Sequence, residues 1–113
     1  MDRQILPNLY NPRERQAIYQ VMCATRQMGG HHMAEKEAEI RQVMNHIGIT
    51  PTDQAISRTL TQQQMTATLR NMDDGPKLYF AKFISCIALV GGNNQKETMF
   101  VQWMNSEVGV PDI

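Results

Sequence analysis

The chain passes twice through the same order of helix signals, and that recurrence constrains its fold more than any single motif does. A periodic apolar stretch runs to Gly29-Gly30 and His31-His32, followed by Lys36-Glu37, Gln42-Val43-Met44-Asn45 and Ile47-Gly48-Ile49-Thr50-Pro51. Further on come Gly91-Gly92, Asn93-Asn94, Lys96-Glu97, Gln102-Trp103-Met104-Asn105 and Val108-Gly109-Val110-Pro111. The offset drifts between 60 and 62 residues, so short insertions or deletions separate the halves, about 12–51 and 76–111. Two similar helical hairpins packed about a pseudo-two-fold axis are the expected product.

Each segment carries its own start and stop. Asn11-Pro12-Arg13-Glu14 joins a capping side chain, a proline preset for a first helical turn and a carboxylate three positions after the cap. Ile18, Val21, Met22, Thr25 and Met28 then follow 3–4 spacing, which buries one face. A second helix is expected from Met33 to Ile47, with Ile40, Val43, Met44 and Ile47 as its stripe. Gly48 is placed to end it in the left-handed conformation. Thr50-Pro51-Thr52-Asp53 starts a short helix, and Thr61-Gln62-Gln63-Gln64 starts another with Met65, Leu69 and Met72 along one side. Asp73-Asp74-Gly75-Pro76 is a turn into the most apolar segment, Pro76 to Val90, which is expected at the centre of the fold. Asn94-Gln95-Lys96-Glu97 restarts the chain, and Met99, Phe100, Trp103 and Met104 supply the last core face. No sustained alternation or hairpin turn argues for strands. The expectation is an all-α compact bundle of six to seven short helices in a single domain over residues 1–113.

The totals narrow the function classes. The chain of 113 residues is 42% apolar and 19% charged, values of a folded globular domain. Eleven basic residues balance eleven acidic ones with no basic run, which argues against nucleic-acid binding. The longest apolar run, Phe83 to Val90, is far short of the ~20 residues of a membrane span. No signal peptide opens the chain, so a cytoplasmic location is expected. Cys23 and Cys86 both fall in helical apolar stretches and are expected as core thiols.

The stretches from Gly29-Gly30-His31-His32-Met33-Ala34-Glu35-Lys36-Glu37 to Ile47-Gly48-Ile49, and from Gly91-Gly92-Asn93-Asn94-Gln95-Lys96-Glu97 to Val108-Gly109-Val110, resemble the TerB-like family of helical tellurite-resistance-associated domains. The resemblance covers about Pro12 to Pro111 and implies a helical fold with a stress-response association. Family turns carry an aspartate before the glycine, and acidic clusters there are thought to hold a metal ion. Gly29 and Gly91 stand at those positions here, so metal binding is not carried over.

Candidate sites are few. His31, His32 and Glu35 are the nearest thing to a ligand cluster; two imidazoles and a carboxylate suit zinc or nickel. The bland alternative is an exposed turn, with Glu35 set against the positive end of a helix dipole. His46, late in its helix, needs no ligand role. No nucleophile–base pair or phosphate loop is present, and Asp73-Asp74 reads as a solvated turn. Met22, Met28, Met44, Met65, Met72, Met99 and Met104 fall on inner faces. The expected role is therefore a non-catalytic scaffold or adaptor that binds another protein or a second copy of itself, with no cofactor. The rival is a divalent-metal binding or sensing domain that uses His31, His32 and Glu35.

Overall fold

A computed structural model describes residues 9–27, 33–88 and 102–109. These form helices α1 (Pro12–Gln27), α2 (Met33–Ile47), α3 (Pro51–Ser57), α4 (Gln62–Arg70) and α5 (Asp74–Ala88), then a π-helix at Met104–Val108. The described residues contain no strand, so the all-helical class holds. The expected start at Asn94 and the expected core residue Phe100, like the turns at Gly29-Gly30 and Gly91-Gly92, lie outside the described residues.

Local chemistry fixes three helix starts. Asn11 Oδ1 accepts from the Glu14 N–H at 2.8 Å, and Glu14 Oε1 accepts from the Asn11 N–H at 2.9 Å. Thr50 with Asp53 and Thr61 with Gln64 make the same reciprocal pair at the starts of α3 and α4. Each satisfies two backbone donors that a helix N-terminus otherwise leaves unpaired. Replacing the exposed Thr61 with alanine is expected to lower the unfolding free energy by about 1 kcal/mol, read by urea denaturation. An unchanged midpoint would mean that water caps α4 as well as the hydroxyl does.

The helix at the hub is α1, not the more apolar α5. Helix α1 touches α2, α3, α4 and α5. Its Ala17, Ile18, Val21 and Met22 are at most 1% exposed. Polar groups of α1 are drawn in with them, most of them with partners, although the buried Gln20 Oε1 has none among the described residues. Gln20 Nε2 donates to the carbonyls of Ser57 and Leu60 at 3.1 and 2.9 Å, closing the end of α3. Gln16 and Arg15 both reach the buried Asp53. Helix α5 buries Phe80, Ala81, Phe83, Ile84 and Ile87 but leaves Leu78, Lys82 and Cys86 outward at four-residue spacing. An apolar count along the sequence did not distinguish a central helix from one with a solvent face.

Of the core methionines expected, Met22, Met65, Met72 and Met104 are buried and Met44 packs partly against the core. Met28 and Met99 lie outside the described residues. Lys36 is fully buried, its Nζ 3.4 Å from the Thr25 carbonyl of α1, a placement its polar flanks did not announce.

Two glycines end helices with positive φ: Gly48 at 78° and Gly109 at 82°. The Met44 carbonyl accepts from both the Gly48 and Ile49 N–H groups, whereas the Met104 carbonyl accepts from Gly109, five residues on. Four residues separate Met44 from Gly48 and five separate Met104 from Gly109. The longer of these two segments forms the π-helical turn.

Candidate functional site

The arrangement with the most unspent chemistry is a groove of about 300 Å³ between α2 and α5, lined by Glu39, Val43, His46, Tyr79, Lys82, Phe83 and Cys86. The His46 ring meets Tyr79 edge-on at 5.9 Å between centroids, and the same groove reaches Glu39 and Cys86. The two helices therefore run past each other in opposite directions. Val43 and Phe83, both under 10% exposed, form an apolar floor. Tyr79 packs edge-to-face on Phe83 at 5.5 Å, and Phe83 on Phe80 at 5.7 Å, which fixes the ring of Tyr79 at the wall.

The polar groups around this floor are idle within the described residues. Glu39 and Lys82 stand on opposite walls and neither has an ion pair there, nor does the Tyr79 hydroxyl have a hydrogen bond. His46 Nδ1 is buried and unpartnered. Buried side-chain nitrogens and oxygens normally find a partner, so this nitrogen has hydrogen-bonding capacity left to offer.

A second depression, of about 650 Å³, lies between α4 and the π-helix and is lined by Gln62, Gln63, Thr66, Ala67, Arg70, Trp103 and Glu107. Its charges are already matched. Arg70 Nε donates to the Glu107 carbonyl at 2.7 Å, and Nη2 lies 3.5 Å from the Glu107 carboxylate. Lys77 Nζ donates to the Arg70 carbonyl at 2.6 Å. This surface ties helix ends together and offers less to an outside ligand.

Of the metal ligands expected from the sequence, His31 and His32 lie outside the described residues. Glu35 is exposed in the first turn of α2, where a carboxylate favours the positive end of the helix. Among the described residues, no three His, Cys, Asp or Glu side chains come together as a ligand set. Asp73 and Asp74 are exposed at the start of α5.

The expected core thiols require correction. Cys23 is half-buried beside Tyr19, Gln20, Ser57 and Arg58, and Cys86 is exposed. Both fall on helix sides that the hub arrangement turns away from the core. His46 and Cys86 share the groove but not a hydrogen bond. Tyr79 and Cys86 are seven residues apart, about 10 Å along α5, and the imidazole sits at the Tyr79 end. The groove thus holds no thiolate–imidazole pair.

No helix among the described residues is long and apolar enough to cross a membrane. Compared with known proteins, the chain matches no family model, and neither curated proteins nor solved structures include a significant match.

Proposed function

We propose that this chain is a non-catalytic adaptor domain that holds a protein partner in the α2–α5 groove. The observation that supports this reading is the pairing of an apolar floor, Val43 and Phe83, with idle polar groups at Glu39, His46, Tyr79 and Lys82. Binding sites generally combine apolar lining with a few placed polar groups. A cytoplasmic location goes with the reading, since both cysteines are free. The TerB-like resemblance and its pseudo-two-fold repeat belong to it too, supported by the left-handed glycines at 48 and 109 that close corresponding segments. A stress-response association follows from that resemblance alone.

Site-specific photo-crosslinking tests the reading. A benzophenone amino acid placed at position 86, in the groove, is expected to give one discrete adduct in producing cells. The same group at position 56, where Ile56 is 38% exposed on α3, is expected to give none. Equal adducts from both positions, or none from position 86, would sink the proposal.

A further inference from the structure

We infer that the element seated in the α2–α5 groove is an amphipathic helix with a basic flank toward α2 and an acidic flank toward α5; this rests on the adaptor reading above. The backbone of the walls decides the conformation. Along the floor of the groove the amides of residues 39–46 and 79–86 and the carbonyls of residues 39–44 and 79–84 are engaged in helical hydrogen bonds. An extended peptide laid on Val43 and Phe83 would find no main-chain partners and would leave its own polar backbone unpaired against an apolar floor. A helix carries its hydrogen bonds with it.

The length agrees. The wall positions on each side span eight residues, a rise of about 10 Å or two turns. That accepts apolar anchors spaced i, i+3 or i+4, and i+7, the register by which an amphipathic helix lies in a groove.

Charge sets the orientation about the helix axis. Glu39 stands on the α2 wall, and Lys82 stands exposed on the α5 wall. Neither Glu39 nor Lys82 is neutralised among the described residues. A helix with Lys or Arg toward α2 and Asp or Glu toward α5 pairs both. The reversed helix meets like charge on both walls, which selects against it.

A display library of helical peptides tests this, with fixed apolar anchors and randomised flanks, selected on the full chain carrying Cys23→Ser. Each clone is then assayed on the same protein with Cys86 capped by a bulky maleimide. Clones are expected to bind at least about 10-fold more weakly after capping, and to carry a basic flank opposite an acidic one. Selection on the Glu39→Lys/Lys82→Glu protein, its fold checked by a thermal melt, is expected to invert that pattern. Charge-reversed twins of the clones are expected to bind about 10-fold more weakly at low salt, the gap narrowing as salt screens these exposed groups. Cap-sensitive clones without the charge pattern overturn this inference and leave the adaptor reading standing. Absence of any cap-sensitive clone overturns both. A cap-sensitive dimer in sedimentation, meaning that a second copy fills the groove, overturns the inference as well.

Discussion

Replacing Asp53 with alanine is expected to lower the unfolding free energy by about 3–5 kcal/mol, a large part of what holds a domain of this size together. Asp53 is 3% exposed. Its Oδ2 accepts from Arg15 Nε at 2.8 Å and from the Thr50 N–H at 3.1 Å, and its Oδ1 accepts from Gln16 Nε2 at 3.3 Å. One carboxylate therefore caps α3 and fastens it to α1. Without it, the Arg15 guanidinium is left in a mostly buried site, the Gln16 amide loses its acceptor, and the first turn of α3 loses half its cap. Arg15 retains its Nη1 bond to the Tyr10 carbonyl at 3.1 Å, which softens the loss without cancelling it. Urea denaturation at neutral pH measures the change, and a loss under about 1 kcal/mol would refute the account.

The same carboxylate sets an acid limit. Burial alone would raise its pKa, but hydrogen bonds from Arg15, Thr50 and Gln16 outweigh that and hold it below the usual range. A depressed folded pKa contributes stability that is present above the unfolded value, about 3.9 for aspartate, and is lost as pH falls below it. The wild-type chain is thus expected to lose stability more steeply below about pH 4 than Asp53→Asn, which has no charge to neutralise at that position.

The second large effect is at Tyr10, with Tyr10→Ala expected to lower the unfolding free energy by about 3–5 kcal/mol and Tyr10→Phe by about 1 kcal/mol. The ring is 1% exposed, and its hydroxyl donates to the Pro76 carbonyl at 2.7 Å, 66 residues away. It pins the approach to α1 onto the first turn of α5. Alanine leaves a cavity and an idle carbonyl, whereas phenylalanine removes only the hydrogen bond. Burial pushes the phenol pKa well above its ordinary value, Tyr79 and Glu14 push it the same way, and the Phe80 N–H opposes them. A raised folded pKa contributes stability present below the unfolded value, about 10, and lost as pH climbs past it. The wild-type chain should therefore unfold in alkali more readily than its neutral stability suggests, and Tyr10→Phe should flatten that limb. Denaturation midpoints at pH 8 and 11 for both proteins decide it; parallel losses would clear Tyr10 of the effect.

These two residues show where sequence reasoning reached and where it stopped. The caps at Asn11, Thr50 and Thr61 were readable because both members of each pair lie within four consecutive residues. The glycine stops at 48 and 109 were readable for the same reason. Asp53 was visible only as a cap; its second role depends on Arg15 and Gln16, nearly forty residues earlier. The centrality of α1 was hidden in part because its buried Gln16 looks polar until Asp53, the partner that satisfies it, is known. The groove was least visible of all. His46 reads as a helix-end cation and Tyr79 as core, and only the crossing of α2 with α5 makes them neighbours.

The π-turn at Met104–Val108 governs angular phase. In an α-helix each residue advances the direction of side chains by about 100°, so one additional residue would swing everything beyond it to another side of the cylinder. Met104 and Val108, four residues apart in this turn, are both fully buried. Glu107 of the same turn meets Arg70 of α4 through its carbonyl and its carboxylate. Such a turn lets a chain lengthen by one residue without rotating the rest of its packing.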